Sequence, residues 1–395
     1  MAFIYEQIPE QSFKKIEDVY TWAKNEHEHL ARIPIYGILK HGARFLDDEY
    51  LGDDNTAFRF NQAGIRSLCS YLGIRLDTLD LLERQNLATD VLNDLLSQRA
   101  VYDKLQTQEL IVDESSNVIV GIVSNSYVGY SNYQFLKDIE KLMSTNMEQA
   151  SLLPEGSNFV FREAYSINTQ MSLRFTIKKQ FGIVKGRCGT SEDKTELGFQ
   201  LKNSMIGDSS LNINFFLYRL ICSNGMTAPV GSSVNRLFHS GKINNFYSRL
   251  SKAFDEITRR VGQAGKMIEN LGALQYSPEL LARLNLSDMI FDIIPGSKSK
   301  IIENYSIPNI PKEGNREENR ILRETEIISH IHELYAREHS NRVFTSKWRD
   351  SATMFDFINI FTEYANELSP AQKIESQEKA GILADWIAKN KRKFH

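Results

Sequence analysis

A chain of 395 residues with 42% hydrophobic and 25% charged side chains can bury an ordinary globular core, and its length favours two or three folding units over one. The formal charge of -3 excludes a protein that is basic throughout, so any surface for a polyanion has to be a local patch. Cys69, Cys188 and Cys222 lack the paired spacing of a zinc site, no run approaches twenty apolar residues, and the opening residues MAFIYEQIPEQSFKKIEDVY break up the apolar stretch of a signal peptide; the expectation is a cytoplasmic protein without membrane or cofactor.

In chain order, Phe13, Ile16, Val19, Tyr20 and Ala23 recur at helical spacing, which predicts a helix from Ser12, as its cap, to Ala31. Ile33 to Asp54 reads as short surface strands and loops around the acids Asp47, Asp48, Glu49, Asp53 and Asp54. Asn61 opens a helix through Ile65, Leu68 and Leu72 that Gly73 stops, and Asp77 or Thr78 opens another through Leu79, Leu82, Leu87, Val91 and Leu95. Leu110 to Val112 and Val118 to Val123 flank the polar turn Asp113 to Asn117 as a hairpin, and Ser131 or Asn132 leads into a helix over Phe135 to Met143.

Five strands follow, at Phe159 to Glu163, Met171 to Lys179, Phe181 to Val184, Leu197 to Lys202 and Leu211 to Cys222, with no helix-length spacer between them, which predicts an antiparallel sheet. Beyond Gly241 the pattern is helical: Ile243 to Leu271 with the stripe Phe246, Leu250, Phe254, Ile257 and Val261, then Ser277 to Leu284, then Arg316 to Arg337. The expected architecture is α+β, with a mainly helical region over 1–109, a central antiparallel β-rich domain over 110–241, and a helical region over 242–395 carrying a Pro/Gly/Lys loop at 293–314.

Candidate chemistry begins with charge. Met171, Leu173, Phe175 and Ile177 alternate with Ser172, Arg174, Thr176 and Lys178, so one side of that strand is apolar and the other basic. Arg162, Arg174, Lys178, Lys185 and Arg187 form a local cationic group, and Tyr165, Phe216 and Tyr218 are aromatics of the kind on which bases stack. The alternative is a solvated sheet face with those rings in the core. Pro295 to Lys300 lacks the spacing of a phosphate loop and reads as a basic linker. His27 and His29, like His330 and His332, are two residues apart on helices and diverge, so no metal site is read. The acids from Asp47 to Asp54 as magnesium ligands, or Cys222 as a nucleophile, would make a phosphodiesterase or a thiol enzyme, but neither has the partner residues such chemistry needs.

Asn203-Ser204 with Gly207, the run Arg219-Leu220-Ile221-Cys222-Ser223-Asn224-Gly225-Met226, His239, the Phe58 to Ala63 segment with Tyr71 to Ile74, and Phe357 to Asn359 with Thr362 to Ala365 together resemble a family of uncharacterised phage- and plasmid-related proteins carried by mobile elements. The resemblance implies a bacterial host but no established activity or catalytic residues. The chain departs from that family at Ile206, where an acid usually precedes the glycine, so a carboxylate there acting with Arg219 or His239 is not expected.

The functional expectation is an accessory protein that binds single-stranded DNA or RNA on the basic sheet face, its helical C-terminal third being a place where protomers could assemble as a homo-oligomer. The alternative is a module that contacts a host protein through its long helices. A metal-dependent phosphodiesterase is third.

Overall fold

The computed structural model describes residues 10–40, 44–46, 50–52, 57–148, 159–167, 170–185, 192–206, 211–219, 224–226, 248, 251–252, 266–267, 269–293, 315–339 and 352–394. The fold is α+β, built on two six-stranded sheets. The N-terminal sheet runs β2 (Leu30–Pro34), β6 (Gln108–Asp113), β7 (Val118–Ser124), β5 (Ala57–Phe60), β4 (Tyr50–Gly52), β3 (Arg44–Phe45), antiparallel except where β5 and β7 pair parallel. The central sheet is antiparallel throughout, in the order β1 (Gln11–Phe13), β8 (Phe159–Ile167), β9 (Gln170–Lys185), β10 (Glu192–Ser204), β11 (Asn212–Arg219), β12 (Asn224–Met226).

Around the N-terminal sheet lie α2 (Ile35–Lys40), α3 (Gln62–Leu72), α4 (Leu76–Arg84), α5 (Ala88–Ser97) and α6 (Arg99–Leu105), whereas α1 (Ile16–His29) packs with the central sheet. The α3 boundaries follow from two residues. Asn61 Oδ1 accepts the Gly64 N–H at 2.7 Å, and Gly73, at φ 75°, takes the left-handed conformation that returns its N–H to the Cys69 carbonyl. Phe58, Phe60, Ile65, Leu68, Leu79, Leu92, Leu110 and Ile119 close the core beneath it.

The region before residue 110 holds helices α1 to α6 together with strands β1 to β5 and the start of β6, and the β6–β7 hairpin pairs with β2 and β5. Ser12 does not cap α1. It sits on β1 opposite Tyr165, where its backbone extends the edge of β8, and α1 begins four residues later.

Helices pack on the central sheet: α7 (Asn132–Glu148), α8 (Pro278–Arg283), α9 (Ser287–Ile293), α10 (Arg316–His339), α11 (Met354–Tyr364) and α12 (Pro370–Lys389) share one core with α1 and with Met171, Leu173, Phe175, Phe199 and Leu201. The two strands expected at 171–179 and 181–184 are one, β9, and irregular pairing on β10 between Lys194 and Thr195 and between Glu196 and Gly198 accommodates its length. α8 starts as expected, with Ser277 Oγ accepting the Leu280 N–H. α11 is set by a capping box in which Thr353 and Asp356 each bond the other's backbone.

A third apolar cluster joins the two halves. Ile111, Val118, Val120 and Val123, on the second side of the N-terminal sheet, pack with Ala63 against Ile206, just beyond β10, and Tyr127 lies at the margin. Gly121 is where they come closest, since a Cβ built on it would stand 2.4 Å from Ile206 Cγ2. The residue at 206 thus works as a packing group between the sheets.

Candidate functional site

Because alternate strand residues share a side, pairing register defines which groups meet on the central sheet. On the side away from Leu173 and Phe175, Glu163 stands opposite Arg174, Arg174 opposite Gln200, and Gln200 opposite Asn214. The neighbouring row is Tyr165, Ser172, Lys202 and Asn212. Four strands therefore contribute a polar side to the same sheet.

That side is not open to solvent. Ser172, Arg174, Thr176 and Gln200 are all buried, Arg174 at 1% exposure. α12 crosses over it, placing Lys373 Nζ 3.3 Å from Glu163 Oε1 and Glu378 against both Lys202 and Asn214. Further along the same helix, Leu383, Ala384 and Ile387 belong to the apolar core.

Glu163 is the hub. Lys14 Nζ lies 2.8 Å from its Oε2 and Arg174 Nη1 3.2 Å from its Oε1, with Lys373 completing the set. The Tyr165 ring lies between two cations, its centroid 5.5 Å from the Arg174 guanidinium carbon and 5.4 Å from Lys373 Nζ. Burial would push the Glu163 carboxyl up, but the charges of Arg174 and Lys373 and the hydrogen bond from Lys14 outweigh it and hold the group at about 2. Burial dominates at Lys373: the attraction of Glu163 only partly offsets it and the repulsion of Arg174 and Lys14, so its pKa falls to about 8.

This corrects the expectation of an exposed basic face. Arg174 is sequestered by Glu163 beneath α12. Arg162, displaced where the β8–β9 register shifts between Phe161 and Glu163, donates to Thr176 Oγ1 at 2.7 Å and pairs with buried Glu196 at 2.6 Å. Guanidinium groups here neutralise carboxylates inside the protein, because a carboxylate buried by the covering helix is stable only when paired. Lys178 and Lys185 lie further along β9, and Tyr218 lies on β11 opposite Glu196, with their backbones described. Arg187 is outside the described residues.

Of the family-like residues, Asn203 and Ser204 are both fully buried at the end of β10. Asn203 Nδ2 donates to the Tyr130 carbonyl at 3.0 Å and to Asn132 Oδ1 at 2.9 Å, while the Ser204 carbonyl accepts from the Tyr127 hydroxyl at 3.1 Å. Asn132 Nδ2 in turn donates to Glu26. The pair fastens the segment between β7 and α7 to the central sheet, which is a structural task. Arg219, Asn224 and Gly225 lie on β11 and β12, where Arg219 pairs opposite Asn224. Gly207, Cys222 and His239 are outside the described residues, as are the acids Asp47, Asp48, Glu49, Asp53 and Asp54, the loop at 294–314, and most of the expected helix Ile243 to Leu271.

Glu163, Lys373, Lys14 and Gln377 were not singled out from the sequence. The alternating polar residues of β8 to β11 were a signal for Glu163, whereas nothing local marks Lys373 and Gln377 as facing a strand two hundred residues earlier. Among the described residues, no group of three His, Cys, Asp or Glu side chains is arranged to hold a metal, and no helix is long and apolar enough to cross a membrane.

Comparison with protein-family models, curated proteins and solved structures finds no match.

Proposed function

We propose that this protein binds single-stranded nucleic acid through the β9–β10 ribbon, and not through the sheet face. The observation that supports the reading is where the strands end. β8 pairs with β9 as far as Ile177 and β11 pairs with β10 as far as Thr195, while β9 continues to Lys185 and β10 begins at Glu192, so among the described residues the last part of this hairpin has only its own two strands. Lys178, Lys179 and Lys185 on β9, Arg187 in the connection and Lys194 on β10 give five cations against Glu192 and Asp193. A two-stranded ribbon with a cationic excess can track a phosphate backbone while the sheet behind it stays filled by α12. A mobile-element origin, which the sequence resemblance implies, agrees with a role in handling nucleic acid.

The experiment is a salt series of filter binding with a labelled single-stranded oligonucleotide. The log-log slope should be about -0.7 for each phosphate neutralised, and replacing Lys178 and Lys185 together with Ala should make it shallower by roughly one unit. Arg174→Ala should leave the slope unchanged and lower stability instead. Absence of binding at low salt, or a slope that responds to Arg174 and not to the two lysines, ends the proposal.

A further inference from the structure

α12 ends in a basic turn that is built into the fold. Asn390 closes the helix, its N–H donating to the Trp386 carbonyl at 3.0 Å and its Nδ2 to the same oxygen at 2.9 Å. The 3-10 turn Lys391–Phe394 follows, with the Lys393 N–H on the Asn390 carbonyl at 2.8 Å, and Trp386 before it and Phe394 at its end pack against the core. Lys389, Asn390, Lys391, Arg392 and Lys393 line a cavity of about 620 Å³. Four of these five side chains are cations and none is an acid. Asp385, one turn earlier on α12, offsets Lys389 across 2.6 Å. The other three have no such partner: Lys391 Nζ lies 3.4 Å from the neutral Asn270 Oδ1, Lys393 Nζ stands 5.2 Å from the centroid of the Trp386 ring, and Arg392 forms no ion pair among the described residues. Cations near a helix C-terminus also complement its dipole, an effect that falls off beyond the last turn. Lys389 already stands in that turn, and the dipole does not call for three further cations held around a cavity.

We propose that this turn is a binding site for a phosphate chain, two or more linked phosphoryl groups of the kind a nucleoside triphosphate carries, with Lys391, Arg392 and Lys393 as its cations. The planar guanidinium of Arg392 offers paired donors to one phosphoryl group, and the two ammonium groups act as point charges towards its neighbours. A single phosphate would fill little of the cavity, whereas sites for small organic ligands span roughly 300–1,000 Å³, a range that includes this one. The inference does not rest on the β9–β10 ribbon.

The test is titration of the full chain with adenosine triphosphate in EDTA, followed by calorimetry and by tryptophan emission, with inorganic tripolyphosphate and orthophosphate in parallel. Saturable binding of the triphosphate is expected. Because Lys393 stands over the Trp386 ring, occupancy should change the emission, and Trp386→Phe should abolish that change while calorimetric binding persists. Arg392→Ala/Lys393→Ala, at two exposed positions, should weaken binding roughly tenfold and leave the Tm of the free protein unchanged. Arg75→Ala/Arg99→Ala, which removes two exposed cations elsewhere, should bind as wild type does, and so should the ribbon variant Lys178→Ala/Lys185→Ala. Affinity for tripolyphosphate equal to or above that for adenosine triphosphate makes the phosphate chain alone the ligand, and tighter binding of the nucleotide adds the nucleoside to it. Lack of saturable binding by both, orthophosphate binding as tightly as either, or equal weakening in the Arg75/Arg99 and Arg392/Lys393 variants overturns the proposal. Weakening in the ribbon variant alone overturns it too, by moving the anion to the β9–β10 ribbon.

Discussion

Glu26 lies on α1, and its Oε2 accepts a hydrogen bond from Asn132 Nδ2 at 3.0 Å, at the end of the chain of amides that begins with Asn203. Burial pushes its carboxyl up, the Asn132 bond opposes this and the charge of Asp113 adds to it, so the group titrates at about 8 instead of 4.5. A carboxyl whose folded pKa is raised contributes stability that is complete below its ordinary pKa and lost as pH rises through the folded value. Stability should therefore decline between pH 4.5 and pH 8 by an amount on the order of a few kcal/mol, and Glu26→Gln, which keeps an acceptor for Asn132, should flatten that decline in urea unfolding measured across the range. Glu163 has the opposite sign. Its depressed pKa gives stability present above about 4.5 and lost as pH falls towards 2, so its contribution is constant over the window in which Glu26 is read.

At the scale of elements, α3 shows how closely a helix can approach a strand when the sequence allows it. The Asn61 N–H donates to the Ile119 carbonyl of β7 at 3.1 Å, and three residues on, a Cβ at Gly64 would stand 2.1 Å from that same carbonyl oxygen. The obstacle is backbone paired within a sheet, so it cannot swing aside as a side-chain tip can. Gly64→Ala should cost about 3 kcal/mol or more, through displacement of α3 and loss of the Asn61 bond, and chemical denaturation should show it as a lowered midpoint. The cap residues Asn61 and Gly73 were legible in the sequence because capping is local, and so was the apolar side of β9, because alternation is local. Period alone states which residues share a side and never what lies on it. Arg174 therefore read as exposed, whereas the helix that covers it begins at Pro370. The strands β2 to β5 were hard to separate from loop for a related reason: at two to five residues each they carry too few alternations, and β2 and β5 join the sheet through β6 and β7, some fifty residues or more further on.

For the molecule as a whole, two cores meet at a narrow seam. Ile206 is 4% exposed and packs, through the close approach to Gly121, against the side of the N-terminal sheet opposite its own helices. The hydrogen bonds of Asn203 and Ser204 to the segment between β7 and α7 add a polar fastening beside that apolar contact. Among the described residues each half has a core of its own, so cooperativity between the halves is expected to run through this contact. Ile206→Ala should cost about 2–4 kcal/mol of local packing and let the two units melt separately, so that the van't Hoff enthalpy falls below the calorimetric enthalpy. Leu173→Ala, a truncation of similar size buried wholly within the central core, should lower Tm while keeping the two enthalpies in the wild-type ratio. Equal broadening in both variants would place the coupling elsewhere than at the seam, because only the first mutation touches a group shared by the two sheets.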